Sequence, residues 1–200
     1  MTASKPQPLS RAELERFNGA VVDDLVDLRT RLLFVGINPG LWTAAVNAHF
    51  ARGGNRFWPA LHAAGILPYR VDARSGMSAQ DREMVLAAGV GITNLVAVAS
   101  ARAEELSREQ LRAGGISLTR AVARLQPRVV AMLGVTAFRV AFDRRDVGVG
   151  RQNDGLAGSE LWVLPNPSGL NAHETVSSLA TAYRAAAVAA GVGDLRNPVT

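Results

Sequence analysis

"RLLFVGINPG", residues 31–40, decides the fold. Residues 31–37 form a short apolar run rich in branched side chains, and Asn38-Pro39-Gly40 stops it. A run too short for a helix and closed by turn residues reads as a strand buried on both faces. Three more runs of this kind follow: "VGITNLVAVA" (90–99), "RVVAMLG" (128–134) and "ELWVLP" (160–165). Helical signals separate them. Asn55 stands ahead of "RFWPALHAAG", Ser78 with Asp81 resembles a cap, Ser107 with Gln110 forms a capping box, "VTAFRVAFD" follows the third run, and residues 174–191 are alanine-rich. Strands alternating with helices predict a parallel sheet covered on both faces, because parallel neighbours need crossovers that helices supply.

Outward from these elements the signals are weaker. Ser10 followed by Glu13 predicts a helix over about 11–27 ahead of the first strand. The helix after Ser107 is expected to break near Gly114-Gly115, and the polar, glycine-rich segment 143–159 reads as a mobile loop. The expected layout is a flexible leader over 1–9, a single domain with an added N-terminal helix over 10–190, and a frayed tail over 191–200.

Composition narrows the chemistry. At 200 residues the chain is long enough for one domain with a substantial core, and its 48% hydrophobic content is that of a packed protein. There is no cysteine, which excludes disulfides, thiolate metal sites, iron–sulfur clusters and a cysteine nucleophile. His49, His62 and His173 are scattered, with no pair at metal-ligand spacing, so no metal and no cofactor are expected. No apolar run reaches the roughly 18 residues of a membrane span, and the first residues lack the pattern of a secretory signal, which predicts a cytoplasmic protein. The net charge is +5 and Lys5 is the sole lysine among 22 basic residues. That arginine bias has two readings: genomic base composition, or a surface suited to phosphates.

In open α/β sheets ligands bind outside the carboxyl ends of the strands. Asn38-Pro39-Gly40, Thr93-Asn94-Leu95, Gly134-Val135-Thr136 and Asn166-Pro167-Ser168-Gly169-Leu170 occupy those ends. Two are Asn-Pro turns, and each has a plain structural reading: asparagine favours the first turn position, proline presets the next, and glycine supplies positive φ. Two such turns at one sheet edge also satisfy the requirement for an assembled site. Neither a GxxxxGK[ST] loop nor a GxGxxG joining strand to helix is present, and no GxSxG elbow exists, which argues against nucleotide-phosphate and serine-hydrolase chemistry.

Gly36-Ile37-Asn38-Pro39-Gly40-Leu41, Phe50, Gly54-Asn55-Arg56-Phe57-Trp58 and Asn166-Pro167-Ser168-Gly169-Leu170 together resemble the mismatch-specific uracil/thymine-DNA glycosylase family, within the uracil-DNA glycosylase superfamily. "GITNLV" (91–96), "LSREQLRAGG" (106–115) and "AYR" (182–184) fit the same pattern in order, so the likeness runs over about residues 30–187. It implies an α/β/α sandwich with a central four-stranded parallel sheet. It also implies excision of uracil, and by extension thymine or etheno adducts, mispaired with guanine in duplex DNA. Asn38 resembles the catalytic asparagine that holds the attacking water. Ile37, Phe50 and Asn94 fall where the base binds, with Phe50 stacking on it. Gly169 and Leu170 resemble the wedge that enters the duplex.

Asn166, Ser168, Asn171, His173, Arg52 and Arg56 are candidate DNA contacts, although Asn55 to Trp58 read equally as a helix start with core packing. One branch of the family carries arginine two residues after the wedge leucine and lysine where Asn94 stands. Here Ala172 and Asn94 hold those places, with Asn171 and His173 as possible substitutes beside Leu170.

The residue types suit base excision. An N-glycosidic bond breaks dissociatively when water is placed and the departing base anion is stabilised. An amide orients water but cannot take its proton, so positioning must carry the rate. Asn38 therefore predicts a slow enzyme. The expected partner is double-stranded DNA containing a mismatch or uracil, met by a monomer in the cytoplasm, at the nucleoid, with no membrane partner. Rival readings are the same fold acting on another deaminated base, xanthine or hypoxanthine, and a protein that binds mismatches without turnover.

Overall fold

A computed structural model describes residues 9–193. β1 (Leu32–Gly36) is buried at every position, as a strand covered on both faces must be. β2 (Val90–Asn94) and β3 (Val129–Leu133) flank it in parallel, and β5 (Glu160–Leu164) pairs in parallel with β3. The four runs singled out in the sequence are these four strands.

A fifth strand, β4 (Gly150–Arg151), lies antiparallel to the outer edge of β5, so the order is β2-β1-β3-β5-β4. The α/β class holds, but the sheet has five strands where four were expected. Two residues leave no periodic pattern, which is why β4 was hidden in the segment read as a mobile loop. That segment is tied down. The Gln152 amide donates to the carbonyls of Gly148 and Gly150 at 3.0 and 2.8 Å, and the buried Ser159 hydroxyl donates to Pro127 O at 2.6 Å.

Strand alternation on β1 builds two cores. A short α2 (Leu41–Ala45) follows β1; Leu32 and Phe34 face α3 (Phe57–Ala63), α4 (Ala79–Ala87) and α7 (Val176–Ala190), whereas Leu33 and Val35 face α5 (Arg108–Leu125) and α6 (Val135–Ala141). Phe34 meets Phe57 edge-on, with centroids 5.3 Å apart at 89°, and Tyr183 at the same distance. The result is a three-layer α/β/α sandwich.

Two helix expectations are corrected. The helix expected over 11–27 is only α1 (Arg11–Glu15), although the Ser10–Glu13 capping box is present. Beyond Gly19, at φ +77°, the chain runs along the open edge of β2: Leu25 exchanges backbone hydrogen bonds of 2.9 and 2.8 Å with Ile92, and Val21 bridges Val98. An uncovered strand edge leaves backbone groups unpaired, and satisfying them while burying Val22 and Leu25 outweighs the local helical spacing.

The second correction concerns α5, which runs unbroken through Gly114-Gly115. A Cβ on Gly114 would collide with the Leu95 carbonyl oxygen, and one on Gly115 would stand 2.9 Å from Ala141 O. These glycines permit close packing rather than end the helix.

Asn55 does serve the helix start, accepting from Phe57 N–H at 2.9 Å. No described helix is long and apolar enough to cross a membrane. Most of the expected leader and tail lies outside the described residues.

Candidate active site

The chain leaves β1 for β2 on one side and returns to β3 on the other, so the order reverses beside the end of β1. A cleft of about 370 Å³ opens there, over the carboxyl ends of the strands. Ile37, Asn38, Phe50, Arg52, Asn94, Asn166, Ser168, Leu170 and Asn171 all line it. Segments far apart in sequence meet because the chain after β2 continues alongside the first turn: Leu95 and Val96 donate to Gly36 O and Ile37 O at 2.8 and 2.9 Å, and Ser100 N–H donates to Pro39 O at 3.2 Å.

Asn38 is half-buried, and its Nδ2 donates to Ser100 Oγ at 2.8 Å, Pro39 O at 3.1 Å and Val98 O at 3.5 Å. The Ser100 hydroxyl gives its single proton to Arg102 O at 2.7 Å, so toward Asn38 it only accepts. All three neighbours are thus acceptors, and the NH₂ must face them. Asn38 Oδ1 is left without a donor among the described residues. That oxygen is an acceptor held in fixed orientation at the mouth of a sheet, which is what ordering a water requires.

The other side of the cleft is aromatic and amide. Phe50 sits at φ +55°, a conformation rare for a bulky residue, and stacks on Phe57 with centroids 3.9 Å apart at 24°. A Cβ on Gly36 would lie 3.3 Å from Phe50 Cζ and 2.5 Å from Asn94 Oδ1, so glycine keeps this floor open. Asn94 Nδ2 lies 3.3 Å from Nδ1 of the buried His49, whose Nε2 lies 3.0 Å from Asp23 O. Burial holds the His49 imidazole below its ordinary pKa, which keeps the ring neutral.

The second Asn-Pro turn is a braced platform. Asn166 Oδ1 accepts from Ser168 N–H at 3.0 Å, Leu170 N–H donates to Ser168 Oγ at 3.3 Å, and Asn171 Nδ2 donates to Asn166 O at 3.1 Å. Gly169 packs on Gly54, where a Cβ would come within 2.8 Å of Gly54 O. Arg56 is turned inward, its guanidinium donating to Ser168 O and Asn171 O at 2.9 and 3.0 Å. On top stands Leu170, 77% exposed although it is a leucine held by a rigid turn. His173 is exposed on the same loop, its N–H donating to Asn171 Oδ1 at 3.2 Å, and does not line the cleft.

Ser100, His49, Arg102 and Glu104 also line the cleft and were not singled out from the sequence. Their only local signal was position: His49 precedes Phe50, and the other three lie just past the end of the second apolar run. Nothing in a linear reading pairs Ser100 with a residue 62 positions away.

Two comparisons with known proteins bear on this geometry. A solved structure from Methanosarcina acetivorans, described as a candidate uracil DNA glycosylase, matches with a TM-score of 0.58 at 16% identity, covering 88% of this chain and 98% of that one. At that identity the likeness is one of fold. The family model of the Uracil DNA glycosylase superfamily matches residues 24–189, which spans both Asn-Pro turns and every strand. The chain therefore belongs to the Uracil DNA glycosylase superfamily and is a hydrolytic DNA glycosylase of the uracil-acting kind.

Proposed function

We propose that the chain excises uracil mispaired with guanine from duplex DNA, with thymine and etheno adducts opposite guanine as further substrates. The observation that carries this reading is the orientation of Asn38, a residue lining the cleft: its NH₂ is held by three acceptors, and its oxygen has no donor among the described residues. A water donating to Oδ1 is aimed at the sugar carbon of a flipped nucleotide. The glycosidic bond breaks with its electron pair leaving on the base, the water oxygen bonds to the cationic sugar carbon, and the water's proton passes to solvent. The amide takes no proton, so the rate rests on placement and on stabilising the base anion.

The remaining cleft supports base flipping. Phe50, backed by Phe57, offers a face for the extruded base, and Asn94 offers its amide to the base edge. Leu170 fills the gap in the stack, where unstacking costs roughly a few kcal/mol and a mispair lowers that cost. Arg52, Ser168, Asn171 and His173 lie around the mouth or on the wedge loop, where strand phosphates pass. The protein acts as a monomer, at the nucleoid, and without lyase activity, since the only lysine, Lys5, belongs to the leader segment and no N-terminal proline offers a Schiff-base amine.

Duplexes holding G·U, A·U, G·T or G·ethenocytosine, and single-stranded uracil DNA, test this by strand cleavage at abasic sites after alkali. Cleavage strongest at G·U and lost in Asn38→Ala supports the proposal. Equal cleavage of A·U and G·U sinks mismatch specificity. Tight binding with no abasic product would make the protein a mismatch binder.

A further inference from the structure

We infer that His49 determines which hydrogen-bonding pattern Asn94 presents to the base, and so makes the site select a uracil-type edge over a cytosine-type edge. This rests on the proposed contact between Asn94 and the base.

The argument runs through proton positions. The Nε2 of His49 lies 3.0 Å from Asp23 O, and a carbonyl only accepts, so Nε2 carries hydrogen. The ring is only 3% exposed and its burial keeps it neutral, so Nδ1 bears a lone pair. The group facing that lone pair at 3.3 Å is the Asn94 side chain, which must turn its Nδ2 there. Reversing the amide would set Oδ1 against the lone pair. The Asn94 carbonyl oxygen is therefore directed over Gly36 beside Phe50, with no donor among the described residues. One Nδ2 hydrogen remains beside it.

An acceptor next to a donor complements the N3–H and O4 of uracil or thymine. Cytosine presents an acceptor at N3 and a donor at N4, and both clash with this orientation. Discrimination by one such two-point contact is about 10- to 100-fold. His49 touches no base; it acts by holding Asn94, and is a positioning residue.

The test measures binding to duplexes carrying the uncleavable 2′-fluoroarabino analogues of uracil and cytosine, each opposite an abasic-site analogue so that pairing does not bias flipping. The intact protein is expected to favour the uracil analogue by about 10- to 100-fold. His49→Phe should reduce that preference to a few-fold, and His49→Asn, which returns an acceptor to the Nδ1 position, should restore it. A folded His49→Phe that keeps the full preference overturns the inference. Asn94→Ala separates the two layers: if it too keeps the preference, Asn94 does not read the base and the underlying reading fails. If only Asn94→Ala loses it, His49 alone is excluded. Should His49→Phe not fold, ¹⁵N spectra of the intact protein decide, since a hydrogen on Nδ1 rather than Nε2 contradicts the argument.

Discussion

The two Asn-Pro turns stand at the same end of the sheet and use their asparagines in opposite ways. Asn166 turns its oxygen inward, where it accepts from Ser168 N–H and closes its own turn. Asn38 turns its NH₂ onto Ser100 and two carbonyls, and leaves its oxygen without a donor among the described residues. One turn consumes its acceptor in building a rigid mount for Leu170; the other holds its acceptor ready. What sets the two amides in opposite orientations is the neighbouring chain. Asn38 lies beside the segment that follows β2, which meets its amide with two acceptors, Val98 O and Ser100 Oγ, whereas Asn166 has nearest its oxygen a backbone N–H two residues on.

Substitution should expose that difference, most strongly at Asn38. Asn38→Ala should lower the single-turnover excision rate at G·U by at least about 10²-fold while duplex binding changes little. An equal loss in binding would mean that Asn38 grips DNA rather than places water. Leu170→Ala comes next: excision from duplex should fall roughly tenfold and single-stranded uracil should be spared. Melting should be unchanged within about 0.5 kcal/mol, because the side chain is exposed. A matching drop on single strands would remove Leu170 from the wedge role.

Asn→Asp substitutions sharpen the comparison through stability. At Asn166 only the oxygen is used within its turn, so Asp should be nearly silent in denaturant melts, whereas Ala should cost about 1 kcal/mol. At Asn38, Asp sets a carboxylate oxygen against the carbonyls of Pro39 and Val98, and should cost about 1–3 kcal/mol. Equal costs at the two positions would show that the orientations are alike.

The smallest effect is that of pH. Neither turn carries a titrating group, so mild acid reaches this end of the sheet through His49. Its folded value lies below the ordinary 6.5, held down by burial and by Arg82 and opposed by Asp23 and Asp24. The unfolded chain then binds the proton more readily, so this contribution to stability is complete above pH 6.5 and falls as pH drops through and below that value. His49→Phe should flatten the corresponding slope of denaturant midpoint between pH 7.5 and 5.5. An unchanged slope would locate the acid sensitivity elsewhere.

Much of this molecule is legible from its residues in order. Four parallel strands, the capping boxes at Ser10, Ser78 and Ser107, and the placing of Asn38 and Leu170 on turns all follow from patterns within about ten residues. Over that range apolar spacing reports burial, and Pro, Gly and Asn report backbone geometry. β4 is two residues and leaves no such pattern. The strap at Val21–Leu25 looks helical by spacing, and only the bare edge of β2 makes it extend. Gly114-Gly115 looks like a break until the Leu95 and Ala141 carbonyls that require it are in place.

The sequence by itself determined the four parallel strands, the helices that alternate with them, and which asparagines stand at the strand ends. Only the tertiary structure decided which way those asparagines turn their amides. The partners that orient them, Ser100 for Asn38 and His49 for Asn94, lie 62 and 45 residues away. An amide has two nearly isosteric faces, and which one meets the cleft depends on the donors and acceptors that folding brings against the other.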